Sequence, residues 1–430
     1  MHADFKKSSW NYYSFRFTRL VSQSTSPILS KTVSNHKNQQ MSKNFIVLLF
    51  IFLGIGQVKS QEAESIIIAA KHRLHSNILN EDRGYWINLP DSYNDNKSSY
   101  KSYPLLIVLD GNLHFKSIIG VLNYLSSDTY RSGKIPEMIV VGVQNVDRRR
   151  DYTPDKVITV RENNSGGGEK FLSFLEDELI PELESNYRTT PYRILFGHSL
   201  SALLATHAYM KEKSLFNAFI AVDPSFGTWD VETMDKKLQA VTDRSFKRFL
   251  YMATANWGKR NIGNRDRHVR LYEGLNSKCK GAFPAKLEYF ENENHASVPP
   301  IAFLNGISTI FDGYGISYRD VEGKEHLIRH FKSISQRLSW DFSPPEQLVN
   351  RIGYGMLRSR NESEKAKALT YFILNTENFP GSYNAFDSLG EAYEVLGDKK
   401  KAIDNYAKSL NLNPMNEHAR MKLLGLEKNE

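Results

Sequence analysis

Cysteine is almost absent from this chain of 430 residues, whose one thiol is that of Cys279. A lone cysteine excludes an intrachain disulfide, so the fold must be stabilised by its own core. The 12 histidines show no Cys/His spacing typical of a zinc site, and no glycine-rich phosphate loop is present. We therefore expect no metal and no other cofactor.

Acidic residues are scarce near the N terminus. Residues 1–60 contain eight lysines and arginines but a single acid, Asp4, whereas the rest of the chain has 48 basic and 47 acidic residues. The formal net charge of +8 therefore belongs largely to the first 60 residues. An evenly balanced remainder gives no reason to expect a nucleic-acid partner.

The apolar run at residues 45–56 is too short for a comfortable membrane span, which needs ~20 residues. It follows a short positive stretch containing Lys43 and precedes a small-residue site ending at Ser60. This pattern predicts a cleaved signal peptide over residues 41–60, export to the periplasm or beyond the cell, and no membrane span after cleavage. Residues 1–40 are polar and unpatterned, so we expect a start-site artefact or a disordered leader, with translation beginning at Met41.

Short apolar segments separated by helical patterns recur over residues 61–314. The predicted strands are 72–76 and 83–90, which form an antiparallel pair, and then 103–109, 137–143, 193–196, 218–222, 248–253 and 286–290. An amphipathic helix is predicted over 166–187. Strands that alternate with helices predict an α/β fold with a doubly wound, mostly parallel sheet. Ligands bind such sheets at the carboxyl ends of their strands.

One stretch combines a strand, a sharp turn and a helix. Residues 194–196 are an apolar strand, Ser199 lies in the turn, and residues 200–209 have helical spacing. In a nucleophile elbow, a strained serine is flanked by small residues two positions before and after it. Gly197 and Ser201 meet that need, although the second position is usually glycine. The pentapeptide alone also fits an ordinary strand-to-helix turn, but its context favours a catalytic serine.

A serine nucleophile needs a base and a group that orients the base. His295 follows the last predicted strand, which is where a hydrolase of this kind carries its base. The orienting acid is expected after the strand that ends near residue 253, where Asp266 is the one carboxylate; it also fits a surface partner of a neighbouring arginine. Asn256 could orient the imidazole instead, or the site could operate as a Ser/His dyad. His198 is expected to be structural, and His268 to lie on the surface.

Two backbone N–H groups are candidates for an oxyanion hole. The N–H of Leu200 lies at the start of the helix that follows Ser199. The N–H of Asn112 follows the strand that ends Leu109-Asp110-Gly111. Gly111 would allow a close approach of the backbone. An ordinary Asp-Gly turn would have the same sequence.

The motif order resembles the putative-esterase family of α/β-hydrolases, a family that is similar to the esterase D, siderophore-esterase and mycolyltransferase group. The resemblance covers roughly residues 65–312 and rests on these segments: Leu109-Asp110-Gly111, 141–145 with 148–154, Gly167-Gly168, 197–201 and 294–299. It implies an α/β-hydrolase fold and carboxylic ester hydrolysis, with Ser199 as nucleophile, His295 as base, and the Asn112 and Leu200 N–H groups as oxyanion donors. The chain departs from the family at Ser201 and by lacking an acid near Asn256.

The C-terminal part has a different periodicity. Residues 315–345 are charged, contain Pro344-Pro345, and suit a linker with some helix. Residues 346–430 contain small and aromatic residues at the positions of a helix-turn-helix repeat of about 34 residues and resemble tetratricopeptide repeats. This resemblance implies a protein-binding or self-association surface. Two repeats rarely stand alone, so we expect them to pack on the α/β domain or on another subunit.

Together these features predict an exported serine esterase acting on a siderophore-like or other small carboxylic ester. A feruloyl or acetyl esterase acting on polysaccharide is an alternative enzyme. A degenerate hydrolase that serves as a binding scaffold through its repeats is the non-enzyme alternative. The arginines at 148–150 suit either an anionic substrate or a solvated loop.

Overall fold

The computed structural model describes residues 65–127, 133–157, 164–258, 263–281 and 283–427. The predicted leader and signal peptide lie outside these residues. The chain from Ile67 onward forms one compact unit. Within the described ranges, no helix is both long enough and apolar enough to cross a membrane.

Eight strands form one sheet in the order β1-β2-β4-β3-β5-β6-β7-β8. The strands are β1 Ala70–Ser76, β2 Glu81–Asn88, β3 Tyr103–Val108, β4 Ile139–Val143, β5 Thr189–His198, β6 Ala218–Val222, β7 Phe249–Ala255 and β8 Ala285–Phe290. β2 pairs antiparallel with β1 and β4, and the other neighbours are parallel. β3, β4, β6 and β7 are buried along their whole length, as expected of apolar runs covered on both faces. The predicted doubly wound sheet is confirmed.

Helices cover both faces of the sheet. They are α1 Gly111–Ser126, α2 Arg148–Tyr152, α3 Gly168–Phe174, α4 Ile180–Asn186, α5 Leu200–Met210, α6 Val231–Gln239, α7 Gly263–Lys278 and α8 Val298–Ile310. Helices α3, α4, α5 and α7 share one hydrophobic core with alternate residues of β3, such as Leu105 and Ile107. Helices α1 and α8 share the other core with Leu106 and Val108. Successive side chains of each central strand point to opposite faces of the sheet, so each strand contributes to both cores.

The predicted helix over 166–187 is nearly continuous, but it contains a π-helical segment at Leu175–Leu179 between α3 and α4. The N–H of Ile180 bonds to the carbonyl of Leu175, five residues earlier. Pro181 follows and has no N–H to donate to an earlier carbonyl. The wider turn therefore falls where the ordinary hydrogen-bond pattern is interrupted.

Six further helices complete the chain. They are α9 Lys324–Leu338, α10 Glu346–Leu357, α11 Glu362–Asn378, α12 Tyr383–Val395, α13 Lys399–Leu412 and α14 Glu417–Glu427. The segment expected as a linker holds α9, whose Leu327 and Phe331 are buried in the core that contains α1 and α8. Val349 of α10 joins the same core. The first of these helices are therefore continuous with the α/β part.

The helices α10–α13 pack as pairs with small residues against aromatic rings. A Cβ added to Gly353 would lie 2.8 Å from the Phe372 ring, and one added to Gly390 would lie 2.8 Å from the Tyr406 ring. These close contacts are the ones that the repeat pattern predicts. The assignment to tetratricopeptide repeats and the domain boundaries themselves stay predictions.

Candidate active site

Three non-glycine residues with positive φ lie at the carboxyl edge of the sheet. Asp110 follows β3 with φ 53°, Ser199 follows β5 with φ 63°, and Asp223 follows β6 with φ 47°. β3, β5 and β6 are adjacent strands. Non-glycine residues rarely adopt this backbone conformation, and residues that do are often found at functional sites. Three strained residues on neighbouring strands mark this edge as the candidate site.

The elbow around Ser199 is tightly packed. Ser199 has φ 63° and ψ −117° and immediately precedes α5. A Cβ at Gly197 would lie 2.3 Å from the carbonyl oxygen of Ser201, so only glycine fits there. Ser201 is buried, and its hydroxyl accepts a hydrogen bond from the His198 N–H at 2.8 Å and donates to Asp110 Oδ2 at 2.6 Å. Serine thus replaces the usual glycine because its hydroxyl links the elbow to Asp110.

Asp110 is a buried carboxylate that connects the elbow to two other elements. Arg148 donates to both of its oxygens, at 2.7 and 3.0 Å, and Asn145 donates to Oδ1 at 2.6 Å. Arg148 also donates to the carbonyl of His198 at 3.1 Å. A buried carboxylate needs such partners. Asp110 and Arg148 therefore fix the start of α1, α2 and the end of β5 relative to one another.

Asp223 is fully buried and accepts a hydrogen bond from His295 Nδ1–H at Oδ2, at 2.5 Å. Trp257 Nε1–H donates to the same oxygen at 2.8 Å, and the N–H of Ala255 donates to Oδ1 at 3.1 Å. Burial by itself would raise the pKa of Asp223. The hydrogen bonds from His295 and Ala255 outweigh burial and hold that pKa below its ordinary value. The carboxylate is therefore ionised and fixes His295 with Nδ1 protonated, which leaves Nε2 as the basic nitrogen.

The imidazole of His295 lies between two other rings. Its centroid is 4.5 Å from that of His198 and 4.7 Å from that of Trp257. His198 Nε2–H donates to the His295 carbonyl at 2.9 Å. Burial, with His295 and His114 nearby, lowers the pKa of His198 to about 3, so this ring is neutral. His198 is thus a positioning contact for His295, as its expected structural role implies.

Ser199 is hydrogen-bonded to the segment that carries Asp223. Its N–H donates to the carbonyl of Val222 at 3.0 Å, and its own carbonyl accepts from the Ser225 N–H at 3.1 Å. These two residues flank Asp223 and Pro224 in the chain. The Ser199 hydroxyl lies 3.0 Å from the Ser225 hydroxyl. The structure therefore brings the predicted Ser199 and His295 to the same edge, with Asp223 between their strands.

The structure does not place the predicted acid at this site. Asp266 lies on an exposed position in the first turn of α7. Asn256, the alternative, donates to the Glu291 carbonyl at 2.7 Å and accepts from the Gly258 N–H at 2.8 Å, so it holds loops and not the imidazole. The carboxylate that orients His295 follows β6, one strand earlier than expected. The sequence feature that could have identified this carboxylate is Asp-Pro-Ser, directly after the apolar strand ending at Val222.

His268 is buried, contrary to its expected surface position. Its Nε2–H donates to the Pro224 carbonyl at 2.8 Å, and its Nδ1 accepts from the Thr254 hydroxyl at 2.7 Å. Burial lowers its pKa, so the ring is neutral in this arrangement. His268 lies one helical turn into α7 and supports the backbone that carries Asp223.

The predicted oxyanion donors lie at two neighbouring helix starts. Leu200 is the first residue of α5, and Asn112 is the second residue of α1. N–H groups in a first helical turn lack an acceptor within the helix. The 2.6 Å hydrogen bond between Ser201 and Asp110 holds these two helix starts together. Both N–H groups are thus at the carboxyl edge of adjacent strands.

Two of the arginines at 148–150 have structural partners. Arg148 is held by Asp110, as described above. Arg150 donates to both oxygens of Glu81, at 3.0 and 2.6 Å, and to Asp151 at 2.8 Å. These guanidinium groups are therefore engaged within the protein and do not form a free anion site.

The sheet order, the strained serine after β5 and the histidine after β8 define an α/β-hydrolase fold. Residues 76–272 match the family model described as "Putative esterase". The chain is 26% identical over 219 residues to ferri-bacillibactin esterase BesA of Bacillus subtilis (strain 168), covering 46% of this chain and 75% of the relative. These similarities support an ester hydrolase.

Two solved structures share the fold. An IroE-like serine hydrolase from Shewanella oneidensis is 27% identical with a TM-score of 0.62, and the match covers 72% of this chain and 99% of that one. An uncharacterised protein from Capnocytophaga ochracea DSM 7271 is 20% identical with a TM-score of 0.53, covering 84% of this chain and 99% of that one. The second likeness is one of fold alone.

Proposed function

We propose that this protein is an exported serine esterase in which Ser199 is the nucleophile, His295 the general base and Asp223 the acid that orients it. The observation that carries the proposal is a strained Ser199 directly after β5, hydrogen-bonded to the segment that carries the buried Asp223, whose carboxylate accepts from the half-buried His295. The scaffold alternative drew its support from a missing acid. Asp223 removes that support, because it has the burial and hydrogen bonds that such an acid needs.

In the proposed reaction, Ser199 Oγ bonds to the ester carbonyl carbon while His295 Nε2 takes its proton. The carbonyl electron pair moves onto the oxygen, which the N–H groups of Leu200 and Asn112 stabilise. Collapse expels the alkoxide, which takes the proton from His295 and leaves an acyl group on Ser199. Water then repeats these steps and releases the acid. Asp223 stabilises the imidazolium that forms twice in this cycle.

The substrate class that we propose is a siderophore-like or other small carboxylic ester. Its support is the resemblance to the siderophore esterases and the similarity to a ferri-bacillibactin esterase. Export rests on the signal-peptide pattern of residues 41–60. Hydrolysis of ferri-bacillibactin should have a higher kcat/KM than hydrolysis of methyl ferulate. The reverse preference would favour the polysaccharide esterase.

A fluorophosphonate probe tests the nucleophile. The wild-type protein should be labelled, and Ser199→Ala should abolish the label. Ser225→Ala is the matched control, because its hydroxyl lies 3.0 Å from that of Ser199 and yet it should leave labelling in place. A folded wild-type protein that takes no label, or a label that persists in Ser199→Ala, would overturn the proposal.

A further inference from the structure

A cleft of about 300 Å³ lies far from Ser199, where the α/β part meets the C-terminal helices. Tyr103 and Thr190, which line it, are at or next to the first residues of β3 and β5. Ser199 follows the last residue of β5, nine residues beyond Thr190. At ~3.3 Å per residue, the cleft is roughly 30 Å from the serine along the strand. It is therefore separate from the candidate ester site.

Aromatic side chains form much of the cleft wall. Tyr314, Trp340, Phe342 and Phe379 line it, and each of them is partly exposed. They come from the chain after α8, the chain between α9 and α10, and the end of α11. The electron-rich faces of such rings attract cations. Aromatic walls from three separate segments are the kind of surface that holds a compact organic cation.

Glu346 supplies a buried carboxyl group in the same wall. Its side chain is almost fully buried, and its oxygens accept from the Tyr100 hydroxyl and from Asn384 Nδ2–H, the latter at 2.7 Å. Both donors are neutral, and among the described residues this carboxyl group forms no ion pair. A buried carboxylate is costly without an opposite charge. A cation bound in the cleft would provide a counter-ion for the Glu346 carboxylate.

Other charged residues of the cleft also favour a positively charged ligand. Asp341 adds a second, exposed carboxylate. Glu137 adds a third, and its nearest cation is Lys101, 3.9 Å away. Among the residues that the structure describes, three acids and one base thus line the cleft. The local field therefore attracts cations and repels anions.

We propose that this cleft binds a small organic cation of the alkylammonium class, with Glu346 as its counter-ion and Trp340 as its main aromatic contact. The ligand would bridge the α/β part and the C-terminal helices, because Tyr103 and Thr190 of the cleft belong to β3 and β5, whereas Trp340 precedes α10 and Glu346 is its first residue. The proposal does not depend on the proposed esterase activity.

Choline and its neutral isostere 3,3-dimethylbutan-1-ol provide a direct test with the whole chain. Calorimetric titration, at ligand concentrations up to about 50 mM, should show choline binding at least about tenfold more tightly than the isostere. Glu346→Gln should weaken choline binding by about tenfold and leave the isostere unaffected. Trp340→Leu should weaken choline binding by about fivefold or more. Ser199→Ala and the exposed, remote Asp266→Asn should bind choline as the wild type does.

Glu346→Gln also touches Tyr100 and Asn384, so it requires a circular dichroism spectrum and a melting temperature beside the titration. If that variant does not fold, the choline-to-isostere ratio of the wild type and the Trp340→Leu titration still decide the matter. Equal binding of the two ligands, no choline binding by the wild type, or wild-type affinity in Trp340→Leu would each overturn the proposal.

Discussion

At the scale of single residues, Asp223 is the group that the structure adds to the proposed chemistry. Its Oδ2 oxygen accepts hydrogen bonds from both His295 and Trp257. One carboxylate oxygen therefore fixes the base and also fixes a ring that lies against the base. Asp266, which has the same side chain on an exposed helical turn, offers a matched comparison.

Asp223→Asn should lower kcat/KM for ester hydrolysis by about 10²–10⁴-fold, because a neutral amide cannot stabilise the imidazolium. Asp266→Asn should retain the wild-type rate. Steady-state kinetics on one ester, with a melting temperature for each variant, is the measurement. Loss of activity in Asp266→Asn with full activity in Asp223→Asn would restore the acid predicted from the sequence.

Trp257 is expected to position His295 and Asp223 through its indole N–H. Trp257→Phe keeps a ring beside the imidazole but removes the donor, so kcat should fall by about tenfold while KM changes little, since a hydrogen bond to a charged group is worth about 1.5–3 kcal/mol. Trp257→Leu, which also removes the ring, should lower kcat further. Trp340→Phe, remote from the site, is the control. A Trp257→Phe variant with wild-type kcat would exclude this role for the N–H.

At the scale of elements, the site depends on how closely β5 and α5 approach at the elbow. Gly197 lies directly against the backbone of Ser201, and the Ser201 hydroxyl joins the elbow to Asp110 of the neighbouring strand. The strand-to-helix turn and the start of α1 are thus one packed unit. A change in this unit should affect stability and activity together.

Gly197→Ala should destabilise the fold by about 2–4 kcal/mol, because its Cβ would clash with backbone and not with a flexible side chain. Urea unfolding measures this change. Gly227→Ala, where an added Cβ would meet nothing within 4 Å, is the control near the same site and should unfold as the wild type does. Equal stability of the two variants would show that the elbow tolerates a side chain at position 197.

At the scale of the whole molecule, the fold contains three buried neutral histidines near the sheet edge. Burial lowers the pKa of His114, His198 and His268 from the ordinary value near 6.5. At pH values below about 6.5, the unfolded chain takes up protons at these positions and the folded chain does not. Stability is therefore full above that pH and is lost as the pH falls.

Each such histidine should contribute a slope of up to about 1.4 kcal/mol per pH unit to the free energy of unfolding, between its unfolded pKa near 6.5 and its lower folded pKa. His268→Gln should make the dependence of stability on pH shallower, whereas His75→Gln, at an exposed position, should keep the wild-type slope. Urea unfolding between pH 5 and pH 7 measures both. The same slope in His268→Gln and the wild type would mean that His268 does not remain neutral in the folded protein.

The sequence by itself determined the order of the strands along the chain, the parallel sheet, the elbow serine and the late histidine. These features follow from local patterns: apolar runs of strand length, small residues around a turn, and a polar turn after the last strand. Strand order along the chain also placed Ser199 and His295 at the same edge. The structural role of His198 could be inferred from its position next to Ser199 in the sequence alone.

Only the tertiary structure decided which carboxylate meets His295. Asp223 and Asp266 both follow buried strands in the sequence, and their distances from position 295 along the chain do not distinguish them. The choice depends on the left-handed backbone at Asp223, which turns its carboxylate towards β7 and the loop after β8, and on the Trp257 and Ala255 N–H groups that stabilise its charge there. The Asp-Pro-Ser sequence after β6 marks Asp223 as a candidate, but these contacts join residues more than thirty positions apart, so no local pattern encodes the contacts themselves.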